Sequence, residues 1–399
     1  MLRLKDRIAQ ETVHFYCVQH RADLDEVREY VSRCTGRPTT LLGIDTESTG
    51  LNCYARDWKL RLLQIGDLYT AYVIPARYRE FITWLVAQDV KWVGHNGAHD
   101  VRCIDAHLGH DTGLVIPYET YIPAMHADSR NQMEGGVGHG LKELACQHVS
   151  KSAGKWEAAL KVAFKRINIE IPGSVYRSGP NKGKIKTRPA LMTEGWSLIA
   201  DTDPAYVAYA AADPILTRRL WRYYAQKGID AKQYTFDHAV TLAVDRLQRR
   251  AIKLDVPYTQ RLDNAYTKAA ELLELHAAKA GIKSVYSGAQ VAAAFEARGV
   301  KFTERTPTGK VKTSDDVIRT LLDDLRTEVR NLAQCVLPAK QLHKRQTAYT
   351  QAMLREVDVD GRIHPSINAM AARTFRMSVS NPPLQQLPIK NREDDIASA

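Results

Sequence analysis

The chain of 399 residues carries 56 Lys and Arg against 45 Asp and Glu, a formal net charge of +11. That length exceeds the usual single core and implies two or more domains, while the basic balance favours a polyanionic partner, most simply nucleic acid. Six scattered cysteines, Cys17, Cys34, Cys53, Cys103, Cys146 and Cys335, make no CxxC pair and no His/Cys cluster at zinc spacing, which excludes a disulfide framework and a structural zinc site and fits free thiols in a reducing compartment.

The start, MLRLKDRIAQETVHFY, mixes charges of both signs without the apolar segment of a signal peptide, and no later stretch has the apolar length of a bilayer span. A soluble cytoplasmic protein is expected. The first half reads as α/β: β-rich runs at 12–18, 40–44, 60–65, 69–74 and 92–93 alternate with helical patterns at 22–34 and 78–87. Only Gly66 and Asp67 separate the third run from the fourth, so those two form a hairpin and the sheet is mixed rather than wholly parallel. The glycine-rich segment 135–140 lacks the Lys-Ser/Thr ending of a phosphate-cradling loop and reads as a flexible turn before a helix starting at Leu141.

A helix is expected at 155–166. The next segment, VYRSGPNKGKIKTRP, holds Arg177, Lys182, Lys184, Lys186 and Arg188 with no acidic residue. It reads as an exposed, mobile loop, either simply solvated or a basic arm touching phosphates beside a cleft. Helix returns at 204–224, capped by Asp201 or Asp203 with Pro204 in its first turn, and Gly228 marks a domain boundary. Beyond it Phe236, Val240, Val244 and Leu247 trace one apolar helical face. Long helices at 258–280 and 328–357, the second interrupted at Pro338, flank a turn-rich tip at 281–313 and form an antiparallel arm. After Gly361 the period is lost and Pro, Asn and Gln accumulate, as in an unpacked tail that needs a partner surface.

Three short segments of the first half share one chemistry. In GIDTES, Asp45 and Glu47 lie two apart at the end of an apolar strand and so project from one face. GHNGAHD carries Asn96 and Asp100. In YAAADP, Tyr209 and Asp213 lie four apart and share a helix face. Four carboxylates gathered in one cleft repel one another unless divalent cations stand between them, and hard oxygen ligands favour Mg2+ or Mn2+ over zinc. Two such ions suit phosphodiester hydrolysis, acidifying an attacking water and neutralising charge on the departing 3' oxygen. Asp45 is the expected bridging ligand, with Glu47 and Asp213 completing one shell and Asp100 reaching the second ion. Tyr209 is placed to orient the water and Asn96 to hold a nucleotide or the neighbouring backbone. His95, His99, His126 and His139 make no metal pair at helical spacing.

These segments resemble the three exonuclease motifs of the DEDD proofreading exonucleases, in the subclass with tyrosine in the third motif, and HGLKELA at 139–145 is similar to the helix start between their second and third motifs. In the second half LQRRAIKLDVPY, FEARGVKFTERTPTGKVKTSDDVI and DGRIHPSINAMAARTFRMSVSNPPLQQLPIKN resemble, in order, the thumb and palm entry of family A DNA polymerases of the bacterial or phage polymerase I type. The resemblance implies an α/β, RNase H-like mixed-sheet exonuclease domain at 1–228, a mainly helical polymerase thumb region at 229–360 and a truncated palm-entry segment at 361–399. It further implies DNA as partner, with Arg376, Asn381 and Gln385 contacting nucleic acid and Lys310 and Lys312 near the thumb tip as phosphate contacts. His99 stands where the family often has Phe, and Phe375 where glycine is usual. No palm or fingers motif follows LPIKNREDDIASA, so this chain is not expected to polymerise alone. The expected function is a metal-dependent 3'–5' exonuclease; the alternative is a DNA-binding subunit, or half of a split polymerase, needing a separate palm and fingers chain.

Overall fold

The computed structural model describes residues 1–37 and 39–387; the end of the expected palm-entry segment, 388–399, lies outside the described residues. The chain forms two compact units, one of Met1–Arg249 with Asn368–Met377, the other of Arg250–Ile367 with the residues from Ser378 onward. The first is α/β and the second mainly helical, as expected. No helix among the described residues is long and apolar enough to cross a membrane.

In the first unit, strands β1 (Leu2–Ile8), β2 (Glu11–Cys17), β3 (Leu41–Ser48), β4 (Leu60–Gly66), β5 (Thr70–Pro75), β6 (Lys91–Gly94) and β7 (Tyr118–Glu119) form one sheet in the order β1-β2-β5-β4-β3-β6-β7. The pairs β1/β2, β3/β4 and β4/β5 are antiparallel, whereas β2/β5, β3/β6 and β6/β7 are parallel. This is the mixed sheet of an RNase H-like domain, including the hairpin across Gly66 and Asp67. Central β4 is buried along nearly its whole length, so it reads as a continuous apolar run rather than an alternating one. Leu63 and Ile65 face a core with helices α1 (Leu24–Ser32), α2 (Arg79–Val86) and α3 (Ala98–Leu108). Leu62 faces the opposite core.

Five further helices follow: α4 (Tyr121–Ala127), α5 (Leu141–His148), α6 (Lys155–Arg166), α7 (Met192–Leu198) and α8 (Pro204–Lys227). Of these, α5, α6 and α8 build the second core around Trp156, Phe164, Tyr206 and Leu216. Asp203 caps α8 by accepting from the Ala205 and Tyr206 N–H groups, while Asp201 pairs with Arg61 and Arg77 instead.

One strand was not foreseen and two sequence expectations fail here. First, β1, for which the sequence reading gave no element, alternates strictly: Leu2 and Leu4 turn inward while Arg3, Lys5 and Arg7 are exposed on an edge strand, where outward charge discourages further pairing. Second, the expected loop after α6 is an antiparallel hairpin of β8 (Asn168–Val175) and β9 (Ile185–Pro189). Third, helix α9 (Ala231–Arg250) buries Val244 but leaves Phe236 68% and Leu247 60% exposed. Its packed face is polar. Tyr234 donates to the Pro117 carbonyl, His238 meets the Ile116 carbonyl, Asp237 pairs with His126, and Asp245 and Arg249 pair with Arg102 and Asp105. The ends of β7 and α3 offer hydrogen-bonding groups to α9, and these outweigh its apolar stripe. Through α9 the first unit runs on beyond Gly228.

In the second unit, β10 (Ile252–Lys253) precedes α10 (Val256–Lys279), α11 (Gly288–Glu296), α12 (Asp315–Thr320), α13 (Thr327–Arg345) and α14 (Gln351–Glu356). Gln346 and Thr350, beyond the end of α13, bond to Asp263 and Thr267 near the start of α10, so the two long helices run antiparallel. Pro338 does not break α13: the buried stripe Val329, Leu332, Val336, Leu337 and Leu342 holds the helix across it. The expected interruption comes instead as a π-helical turn at 346–350. Short strands β11 (Arg362–Ile363), β12 (Ser366–Asn368) and β13 (Ser378–Ser380) then organise part of the expected unpacked tail. Asn368–Met377 is packed into the first unit, with Met370 buried, its carbonyl accepting from the Tyr121 hydroxyl, and Phe375 against His126.

Strand β3 and helix α8 approach so closely at Gly43 that any Cβ there would overlap the backbone carbonyl of Pro214. Gly43→Ala is therefore expected to cost about 3 kcal/mol, at the upper end of overpacking penalties, and to lower Tm by several degrees. An unchanged Tm would show that this approach is not tight.

Candidate metal centre

The approach at Gly43 brings two carboxylate carriers together. Asp45 and Glu47 lie just beyond Gly43 on β3, and Asp213 directly precedes Pro214 on α8. One carboxylate oxygen from each of these three residues lies within 4.8 Å of the others. Among the described residues no His or Cys joins the cluster. His95 is instead spent on the Thr120 hydroxyl and the His139 carbonyl.

Asp100 stands to one side, buried in the first turn of α3, where its carboxylate accepts from the Thr46 hydroxyl at 2.6 Å. Its helix is anchored by Glu119, a buried carboxylate that accepts from the Asn96 and Gly97 N–H groups at 2.6 Å each. This turn puts Asn96 in the left-handed region, φ 62°, with an exposed side chain that caps no helix. Tyr209 lies one turn before Asp213, its ring 5.8 Å from that of Trp196.

Two residues that the motifs did not reveal complete the centre. Gln64, opposite Asp45 in the β3/β4 register, donates to Asp45 at 3.1 Å and to Glu47 at 3.4 Å. Lys142, second residue of α5, forms an ion pair with Asp213 and sits 4.5 Å from the centroid of the Tyr209 ring. Its signal lay in HGLKELA, where it is the lone cation of a segment legible only as a helix start.

Burial and mutual repulsion govern the electrostatics. Burial, then the neighbouring Glu47 charge, pushes Asp45 well above the usual carboxylate range. Glu47 is pushed up to about 8, first by burial, against the opposing pull of Lys142. Asp100 is likewise raised by burial and by Asp45. Lys142 is lowered to about 8 by burial, against the pull of Asp45 and Glu47. Clustered hard oxygen atoms that resist ionising together fit a divalent cation, which would relieve the repulsion.

The expected nucleic-acid contacts lie elsewhere. Lys310 is exposed, whereas Lys312 is paired with Glu304 and Asp316. Arg376 is exposed in the segment packed into the first unit. In the second, Asn381 is exposed with φ 51°, and Gln385 accepts from the Val379 N–H.

The family model described as 3'-5' exonuclease matches residues 18–227, and that of DNA polymerase family A matches 256–397. The chain belongs to the 3'-5' exonuclease family. It is 29% identical to the DNA polymerase of Mycobacterium phage D29, over 97% of this chain and 61% of that polymerase. Identity to the phage L5 DNA polymerase is 28%, over 97% and 62%. DNA polymerase I of Chloroflexus aurantiacus is 27% identical, over 93% of this chain and 37% of its own length. The chain thus spans about three fifths of the phage relatives' length. The fold is like that of the POL domain of Pol1 from M. smegmatis, solved in complex with DNA primer-template and dNTP: TM-score 0.60 at 16% identity, over 94% of this chain and 56% of that one.

Two outcomes follow for the isolated centre. Because Lys142 occupies space beside Asp213 that a cation would claim, Lys142→Met is expected to tighten Mn2+ binding in calorimetry by about tenfold, or ~1.4 kcal/mol. Unchanged or weaker binding would show that the ammonium does not compete. In chelator, Glu47 holds its proton in the folded state up to about pH 8 but loses it near 4.5 when unfolded. Its contribution is full below pH 4.5 and is lost as pH rises through about 8. Tm should therefore fall across that window, less steeply in Glu47→Gln; an equal slope in both chains would remove Glu47 as the cause.

Proposed function

We propose that this chain is a metal-dependent 3'–5' exodeoxyribonuclease that hydrolyses DNA from the 3' end, the proofreading portion of a family A DNA polymerase. The observation that carries this reading is the cluster of half-buried Asp45 with buried Glu47 and Asp213, and buried Asp100 beside it, in a chain that matches the 3'-5' exonuclease family. Asp45, Glu47, Asp100 and Asp213 would hold two divalent ions, Mg2+ or Mn2+. When bound, such ions supply acidity to water and positive charge to the departing 3' oxygen.

The side chains divide the remaining work. Gln64 fixes the Asp45 and Glu47 carboxylates by donating to both, so their free oxygens keep one orientation. The Tyr209 hydroxyl stays protonated, because burial and the nearby carboxylates raise its pKa. It thus acts as a hydrogen-bond donor and acceptor that orients water rather than as a base. Lys142, which pairs with Asp213 here, would be freed if a cation took its place and could then pair with a phosphate of the strand. Asn96, exposed and four residues before Asp100, suits a contact with the terminal nucleotide. Arg376, Lys310, Asn381 and Gln385 are proposed to meet duplex DNA, Lys312 less so because two carboxylates already claim it.

The deciding experiment is digestion of 5'-labelled single-stranded DNA in Mg2+, in Mn2+ and in chelator. The expected result is a metal-dependent ladder shortening from the 3' end, slowed about a thousandfold or more in Asp45→Ala, which forfeits several kcal/mol of charge stabilisation. Tm in chelator should be nearly unchanged in that variant, since one fewer carboxylate relieves repulsion. Near-normal cleavage by Asp45→Ala would place the chemistry elsewhere.

A further inference from the structure

The hairpin of β8 and β9 takes no part in the centre described above, yet it is rooted beside it. Its base is closed by the Ala190 N–H donating to the Ile167 carbonyl and tied to α7 by a two-pronged pair of Arg188 with Glu194, 2.7 Å at each prong. On α7, Trp196 packs against both Phe164 and Tyr209. One short helix therefore separates the hairpin from the tyrosine of the nuclease site.

Its composition is one-sided. Between Glu170 and Glu194 stand Arg177, Lys182, Lys184, Lys186 and Arg188, with no acid among them. Neither strand buries a single residue, and Val175 and Ile185, paired across the hairpin, are each nearly half exposed. The tip is nonetheless built. The Tyr176 N–H donates to the Lys184 carbonyl and the Gly183 N–H to the Tyr176 carbonyl, while the Lys182 and Lys184 N–H groups close turns on Gly179 and Asn181. The Lys186 ammonium lies 5.8 Å from the Tyr176 ring centroid. An isolated two-stranded ribbon is marginal in water, so retaining this one, with cations and an aromatic on its surface, points to a partner that covers it. Basic groups interleaved with an aromatic, at the side of a strand-cleaving cleft, match a single nucleic-acid strand, whose phosphates meet the cations and whose bases stack.

We infer that the 168–189 hairpin is a guide for the single-stranded DNA entering the nuclease site, binding the stretch upstream of the 3' end. This rests on the exonuclease reading for the identity of the strand, but its test does not. Binding is measured by anisotropy in chelator, where no cleavage occurs, with labelled oligothymidylate of about sixteen nucleotides and with a trinucleotide that fills only the cleft. The variant is Arg177→Gln with Lys182→Gln, Lys184→Gln and Lys186→Gln; Arg188 is kept because it anchors Glu194. For the long strand the slope of log affinity against log salt should be shallower by roughly 3, about 0.7 per lost phosphate contact. Wild type should accordingly lose about fiftyfold more affinity than the variant between about 0.05 and 0.2 M salt. Trinucleotide binding should not change, and cleavage in Mg2+ at saturating strand should keep its kcat while KM rises. Equal long-strand affinity and slope in both chains would overturn the guide, whatever the cleavage assay shows. Normal hairpin-dependent binding without cleavage would instead sink the exonuclease reading and leave the guide standing.

Discussion

The enforced proximity of acids that repel one another is the constraint on which this chain's nuclease unit depends. Asp45, Glu47 and Asp213 are held within a few ångströms, largely out of water, with Asp100 beside them. Left to themselves such groups would move apart or take up protons, and the raised pKa values of Asp45, Glu47 and Asp100 reflect that tendency. They stay together because each is carried by an element packed for other reasons. Gly43 lets α8 press its Pro214 turn against β3, and the double-sided burial of β4 fixes the strand from which Gln64 donates. The energy that assembles the site is therefore hydrophobic, spread over two cores.

Lys142 shows how the same constraint is met locally. A buried ammonium is costly unless it is paired, and a buried carboxylate cluster is costly unless it is neutralised. Together the two offset one another, at the expense of a cation that must yield when a metal ion takes its place. Glu119 solves a different problem with a similar device. Its carboxylate receives two backbone N–H groups from the turn before α3, which fixes that turn in a left-handed conformation at Asn96 and sets where Asp100 enters the cleft. Asp100 thereby gains a separate support, independent of the β3 and α8 contact that holds the other three.

Much of this was legible in the sequence wherever local pattern and packing agree. The strand bearing Asp45 and Glu47, the hairpin across Gly66 and the helix bearing Tyr209 and Asp213 combine apolar periodicity with turn or cap residues that leave few alternatives. Lys142, Gln64 and Glu119 were not legible, because each matters through a partner distant in sequence: Asp213, Asp45 and the Asn96 turn. Helix α9 failed in the opposite direction. Its stripe of Phe236, Val240, Val244 and Leu247 is a sound amphipathic pattern, but periodicity cannot reveal that carbonyls of Ile116 and Pro117, the charges of Arg102 and Asp105 and the imidazole of His126 wait on the neighbouring surface. The hairpin at 168–189 was hidden by its two glycine-rich turns and basic residues, which resemble a loop unless the pairing itself is seen.

Phe375 joins these themes. Its backbone is left-handed, φ 57°, a conformation that costs a bulky residue about 1–3 kcal/mol. The structure shows what the phenyl ring offers in exchange. It packs 5.9 Å from the His126 ring, and His126 is itself held by Asp237 of α9. Asn368 and Met370 of the same segment bond to Tyr121, at the start of the helix that carries His126. A glycine would relax the turn but release this attachment. Substituting Phe thus trades backbone ease for a side-chain anchor that fastens 368–377, with Arg376 exposed on it, to the nuclease unit.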